Sequence, residues 1–318
     1  MLFLASCPRV RDQGQFAIEQ TVPVRRTSFS MSDFDRIRTL PCWNGAIDIT
    51  PLSGGLSNAN YRVDDGFGSH VVRFGVDFPF HHVSREREVM VARAAHAAGF
   101  SPAVEYADAG VMVTAFVEAQ TFSAMDVKVN PERIGRLIRD FHLKMPAFVS
   151  GPGFMFWPFH VIRDYVRTLG GDHVQVMKEA RAFEAAQVPL PIVFGHHDLL
   201  PANFLDDGTK LWLIDFEYAG FGTAMFDLAG VSSNGLMHPD EKALLHRAYF
   251  GGTPDASIMQ AFAAMECASL LRETLWAMVS GLFLAAPGVD YAAYTVENRA
   301  RYDAALDAYQ IQYGKIHS

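Results

Sequence analysis

The sequence predicts an α+β fold in two lobes, a small antiparallel β lobe followed by a larger, mainly helical lobe. Three observations lead there. Residues 46–75 read as short apolar runs separated by turn residues. Beyond Glu118, apolar side chains recur at helical spacing. One polar hairpin, 195–217, interrupts that helical half.

The elements follow in order. Ile47 and Ile49 open the strands, and the segment from Leu52 to Asn58 leads into Asn60-Tyr61-Arg62-Val63. Residues 64–68 make a turn, and His70-Val71-Val72-Arg73-Phe74 is an apolar strand, so the region is a β-meander. Residues 84–98 are charged at Arg85, Glu86, Arg87 and Glu88, then rich in alanine, and stop at Gly99 and Pro102, which marks a helix. Residues 111–117 are a further strand. In the second half, Ile134, Leu137, Ile138 and Phe141 lie on one helical face of 131–142. Helices are expected over 159–169, 174–186, 226–236, 241–250, 257–280 and 291–311, with a strand at Ile192-Val193-Phe194. The chain therefore divides into a polar extension, 1–40, a β lobe, 41–117, and a helical lobe, 118–318.

Half of the 318 residues are hydrophobic and 19% are charged, as in an ordinary soluble enzyme, and no apolar run is long enough to span a bilayer. Cys7, Cys42 and Cys267 are isolated and form no metal motif or disulfide framework, so a reducing cytoplasm is the expected compartment. Residues 1–7 imitate a lipoprotein cleavage site but lack its basic start and longer apolar core. A polar extension, with Met31 as a second start, is the plainer reading. Charge is unevenly placed. Residues 1–190 hold 20 basic and 20 acidic side chains, whereas 191–318 hold 7 and 15, so the whole net charge of −8 sits in the second part. That pattern speaks against nucleic acid as a partner and would draw a cationic substrate.

The hairpin carries the chemistry. It reads Gly-His-His-Asp-Leu-Leu-Pro-Ala-Asn-Phe-Leu-Asp-Asp-Gly-Thr-Lys-Leu-Trp-Leu-Ile-Asp-Phe-Glu. Asp207-Gly208 signals a two-residue turn, and Leu211, Leu213 and Asp215 alternate with Trp212 and Ile214 as on a strand. Such a hairpin folds Asp215 back beside Asp198 and Asn203. Two carboxylates and an amide oxygen around one spot suit Mg²⁺ carrying phosphates, with one carboxylate left to orient a hydroxyl and accept its proton. A His-His-Asp hydrolytic metal site is the rival, but it needs further ligands that do not stand nearby.

His-x-Asp-x-x-x-x-Asn followed by Ile-Asp-Phe-Glu-Tyr resembles the aminoglycoside phosphotransferase and choline/ethanolamine kinase family, and more closely its choline kinase-like branch. The resemblance covers residues 45–310. It implies a protein-kinase-like fold, ATP and Mg²⁺ as cofactors, and Asp198 as the catalytic base, with Asn203 and Asp215 as metal ligands. By the same resemblance His196 braces the loop and Asp227 supports it from below. Ser53, Gly54, Gly55, Ser57 and Asn58 are similar to the family's nucleotide loop, where glycines let N–H groups approach a phosphate. Arg73 stands at the strand position that contacts phosphates, and Glu88, rather than Glu86, at the helix position that anchors it. His197 receives no role.

For the acceptor, Glu217, Tyr218, Trp276, Tyr291 and Tyr294 form the expected wall of a cation site. Glu273 stands where the branch carries a second tryptophan, which leaves primary amines open. The implied activity is ATP-dependent phosphorylation of a hydroxyl on a small cationic metabolite of choline or ethanolamine type. An aminoglycoside- or thiamine-type kinase and a non-catalytic nucleotide-binding module are the alternatives.

Overall fold

The structure, a computed structural model, describes residues 32–52, 59–284 and 289–316. The chain divides into a short unit ending at Leu40 and a body, 41–318. In the first unit, α1 (Asp33–Arg38) starts at Ser32, whose hydroxyl accepts the Asp35 N–H at 3.2 Å.

The body opens with an antiparallel sheet of β1 (Asp48–Leu52), β2 (Ala59–Asp64), β3 (Ser69–Phe74), β4 (Val104–Asp108) and β5 (Val111–Ala115), in the order β1-β2-β3-β5-β4. The β2–β3 turn is built by Asp65, whose carboxylate accepts the N–H groups of Asn44 (3.0 Å), Phe67 (2.7 Å) and Gly68 (3.0 Å). Strand β4 is not foreseen by the hydrophobic pattern. It sits at the sheet edge, where alternation is weak, and a register shift at Val104–Tyr106 breaks its pairing with β5. A 3₁₀ turn, Pro79–His81, leads into α2 (Arg85–Ala97), which Ser84 caps.

The larger lobe contains α3 (Ala124–Val129), α4 (Pro131–Lys144), α5 (Pro158–Leu169), α6 (Val174–Ala185), α7 (Ala224–Asn234), α8 (Pro239–Phe250), α9 (Ala256–Phe283) and α10 (Tyr291–Tyr313). Short strands lie among them: β6 (Gln120–Thr121), β7 (Ile192–Gly195), β8 (Phe204–Asp206), β9 (Leu211–Leu213) and β10 (Gly220–Thr223). Helix α9 is apolar on nearly every side because it is the lobe's central rod, packed by α5, α6, α7 and α10. Full burial of side chains such as Leu271 and Leu275 stabilises the lobe by roughly 1.5–3 kcal/mol each. Despite its two glycines, β10 forms a strand by pairing with β7, Gly222 opposite Val193. Together these two strands and the β8–β9 hairpin position the site. No helix among the described residues is long and apolar enough to cross a membrane.

Candidate active site

The hairpin is closed by β8 and β9 in the register Phe204↔Leu213 and Asp206↔Leu211. One step further, the Ile214 N–H donates to the Asn203 carbonyl at 3.1 Å, which sets Asn203 and Asp215 side by side. Two details differ from the sequence reading. The turn is a four-residue loop, 207–210, because the Asp207 carboxylate collects the Thr209 and Lys210 N–H groups and Trp212 Nε1, each at 2.8 Å. Strand β9 also stops at Leu213, and Asp215 itself is left-handed at φ +69°. His197 is left-handed too, at φ +62°. Such backbone costs about 1–3 kcal/mol per residue and persists only where surrounding bonds enforce it.

Buried Asn203 ends a 3₁₀ turn, Pro201–Asn203, and its Nδ2 donates to the Asp198 carbonyl at 2.7 Å. That bond goes to the main chain and leaves the Asp198 carboxylate out of it. Burial pushes the Asp198 carboxyl well above the ordinary carboxylate range; the charges of Asp215, Glu273 and Glu217 add to the shift, and the Arg272 guanidinium opposes it.

Asp227, on α7, lies beneath this loop. Its Oδ2 accepts the His196 N–H at 2.7 Å and its Oδ1 the His197 N–H at 2.7 Å, while His142 Nε2 from α4 reaches Oδ2 at 2.8 Å. Burial alone would raise this carboxyl, but the three imidazoles around it hold it below the usual range. The His196 ring donates from Nε2 to the Ile214 carbonyl at 2.9 Å, tying the loop to the strand that leads to Asp215. The His197 ring stacks on Phe156 at 4.5 Å and donates from Nε2 to the Gly220 carbonyl at 3.1 Å. It fits only because two glycines face it. A Cβ on Gly195 would stand 2.4 Å from the ring, and one on Gly222 would stand 2.9 Å from it. Burial draws His197 down to about 4, so this imidazole is neutral at pH 7. Sequence reasoning gave this residue no role, and the two glycines were its only trace.

Arg73, on β3, sits at the centre of a carboxylate network. Its Nη2 donates to Asp215 at 2.7 Å and to Glu217 at 3.2 Å, and Nη1 lies 3.3 Å from Glu88. Arg85 contributes a second guanidinium, 2.6 Å from Glu88 and 2.9 Å from Glu217. Glu88 is buried here and Glu86 is exposed. Glu217 is thus brought to Arg73 and Arg85, away from the role of an open acceptor anion. Ser53, Gly54, Gly55, Ser57 and Asn58 lie outside the described residues.

The aromatic residues converge on α9 and α10. Trp276 is buried and donates from Nε1 to the Tyr218 hydroxyl at 3.0 Å. It meets Tyr291 and Tyr294 edge-on, with centroids at 6.2 and 6.1 Å. Tyr294 donates its hydroxyl to Glu273 at 2.9 Å. Three members of this wall escaped sequence reasoning. His81 stacks on Trp276 at 5.2 Å and links Tyr165 (3.0 Å) to Ser280 (2.9 Å). Tyr165, on α5, is fully buried. Arg272 pairs with Glu273 at 2.8 Å and lies over the Tyr218 ring at 4.5 Å. Arg272 and Glu273 are the sole charged residues between Cys267 and Phe283, and that isolation was the available signal.

Residues 48–263 match the model of the phosphotransferase enzyme family, and the chain belongs to that family. It is similar to a choline/ethanolamine kinase family protein from Mesorhizobium loti: 30% identical, TM-score 0.72, covering 86% of this chain and 94% of that one. The choline kinase LicA from Streptococcus pneumoniae shares the fold at 19% identity and TM-score 0.67, over 83% of this chain and 94% of that one. A probable ethanolamine kinase of Arabidopsis thaliana is 26% identical over 234 residues, 62% of this chain. The match spans 61% of that relative's own length. The fold is the protein-kinase-like arrangement of a small antiparallel β lobe and a larger helical lobe.

Proposed function

We propose that the chain is an ATP- and Mg²⁺-dependent kinase that phosphorylates the hydroxyl of a small amino alcohol, of choline or ethanolamine type, in the cytoplasm. The observation that carries this reading is the pairing of Asn203 with Ile214, which sets Asp215 beside the Asp198 loop and under Arg73. Family membership and the likeness to choline/ethanolamine kinase relatives support the same choice.

The donor set fits the metal. An Asp215 carboxylate and an Asn203 amide oxygen are hard oxygen ligands of the kind Mg²⁺ takes beside nucleotide phosphates. When bound, the ion neutralises charge on the transferring phosphoryl group. Asp198 orients the acceptor hydroxyl and takes its proton, and its raised affinity for protons suits that task. Arg73 holds phosphate oxygens, and Glu88 keeps Arg73 in place. Asp227 and His196 act through the main chain of the loop as positioning residues. The phosphate loop itself is Ser53, Gly54, Gly55, Ser57 and Asn58.

The acceptor would lie against Trp276, Tyr294 and Tyr218. Glu273 is already matched by Arg272, so recognition of a cation rests on the ring faces and on the acidic surroundings more than on Glu273 as a free anion. The test is a panel of amino alcohols, aminoglycosides and neutral sugars with Mg·ATP, read as ADP release and as a new phosphate ester by ³¹P NMR. An ester on ethanolamine or choline is the expected result. A preference for an aminoglycoside would move the acceptor, and Mg·ATP binding with no ester on any alcohol would overturn the kinase reading.

A further inference from the structure

Away from Asp198 and its neighbours, two imidazoles and a carboxylate meet between the two lobes. His82 follows the Pro79–His81 turn, between β3 and α2. His160 and Asp164 stand four residues apart on one face of α5. His82 Nε2 lies 3.1 Å from Asp164 Oδ2, and His160 Nε2 lies 3.2 Å from the same oxygen. One ligand atom from each of the three lies within 4.8 Å of the other two. The two rings are perpendicular, with centroids 5.9 Å apart.

We propose that His82, His160 and Asp164 form a second metal site, one that takes a divalent transition ion of the zinc class and joins the chain between β3 and α2 to helix α5. Geometry supports this first. Donors held about 2.1 Å from a common ion stand roughly 3.0–3.4 Å apart, the spacing seen from each imidazole to the carboxylate. The chemistry agrees. Two imidazoles with one carboxylate suit zinc, cobalt or nickel, whereas Mg²⁺ prefers oxygen alone. Arg167 pairs with the other oxygen of Asp164, which orients the carboxylate from behind and leaves Oδ2 toward the rings.

The backbone adds an independent observation. His82 is left-handed at φ +61°, a conformation that a histidine adopts at some cost and that a turn with free choice would give to glycine. The site is also reachable: the His160 side chain is 54% exposed. An ion there would fix the segment whose neighbour, His81, stacks on Trp276, and whose flanking elements carry Arg73 and Glu88.

The test is a zinc titration of the whole chain in a large excess of Mg²⁺, which saturates oxygen-only sites. Calorimetry should show a single zinc equivalent, and the melting temperature should rise by about 5 °C at one hundred times Kd. Cobalt in place of zinc should give the visible d–d absorption of a four- or five-coordinate ion. His160→Ala and His82→Gly should each weaken binding about 10-fold or more and remove the thermal shift. Glycine accepts the backbone at position 82, and position 160 is exposed, so both variants should fold. Should one of them fail to fold, the other still decides. No zinc binding to the wild type under Mg²⁺, or equal affinity in wild type and variants, would overturn the proposal.

Discussion

The loop that carries Asp198 and the wall that carries Trp276 are both buried and both polar, yet they are held in different ways. The loop is held through its main chain. Asp227 accepts the N–H groups of His196 and His197, and Asn203 Nδ2 donates to the Asp198 carbonyl. The wall is held side chain to side chain: Trp276 on Tyr218, Tyr294 on Glu273, Glu273 on Arg272, and His81 between Tyr165 and Ser280. A region fixed by its backbone can change a side chain without moving. A region fixed by its side chains changes shape whenever one is replaced. The contrast predicts that substitutions in the loop alter chemistry and those in the wall alter packing and acceptor choice together.

The sharpest way to break this contrast is Asp198→Asn. The carboxylate is outside the Asn203 bond, so the melting temperature should stay near wild type while kcat falls by about 10²–10⁴. An unchanged kcat on a confirmed acceptor would remove Asp198 from the base position. Asp227→Ala attacks the backbone support instead. It leaves two buried N–H groups and His142 Nε2 without their acceptor, and urea denaturation should show a loss of roughly 3–5 kcal/mol. A loss under about 1 kcal/mol would mean that the loop does not depend on this carboxylate.

Acid sharpens the comparison next. His197 in the loop is held at about 4 and His81 in the wall at about 3, both by burial, against an ordinary value near 6.5. Because the folded values are depressed, the unfolded chain binds more protons, and stability must fall as pH drops below about 6.5. Each imidazole contributes a loss of roughly 2 kcal/mol by pH 5. The His197 contribution levels off below its folded value of about 4 and that of His81 below about 3. Stability that is constant from pH 7 to 5 would contradict both placements.

A double-mutant cycle isolates the wall. Arg272→Met and Glu273→Gln should each destabilise by roughly 1–3 kcal/mol, because the first strands the half-buried Glu273 and the second the buried Arg272. The double variant should lose less than the sum, with a coupling near 1 kcal/mol. Strict additivity would show that the pair is not an energetic unit. The smallest effect concerns the acceptor. Its KM should rise modestly with ionic strength, since the charge excess of residues 191–318 draws a cation from a distance and salt screens it. A KM independent of salt would limit recognition to contacts at the ring faces.

Legibility in the sequence followed the range of the interactions. The β8–β9 hairpin was legible because the alternation of Leu211 and Leu213 with Trp212 and the Asp207-Gly208 signal are local. Its length was misread because the Asp207 side chain, beside the left-handed Gly208, gathers the N–H groups of a longer loop. Short α3 has no room for helical periodicity and shows only a capping box at Ser123 and Asp126. The pairing of Arg73 with Glu88 was readable from family resemblance, whereas Arg85 joining them was not. His81 meets Ser280 and Tyr165 from distant parts of the chain, and no spacing rule reaches that far.

The Arg73–Asp215 contact at 2.7 Å has a consequence for the order in which ligands can enter. Asp215 gives up Arg73 at little cost only to another cation, whereas Arg73 keeps Glu88 and Glu217 if Asp215 turns away. A visitor carrying both signs would satisfy the two at once, while a bare nucleotide drawing Arg73 away would leave Asp215 without its cation; a bare metal would cost less, because Arg73 keeps Glu88 and Glu217. Calorimetry with ATP in EDTA should therefore show much weaker binding than with Mg·ATP, and equal affinities would refute the exchange. In the proposed kinase, this resting ion pair would favour entry of the metal–nucleotide complex over a bare nucleotide.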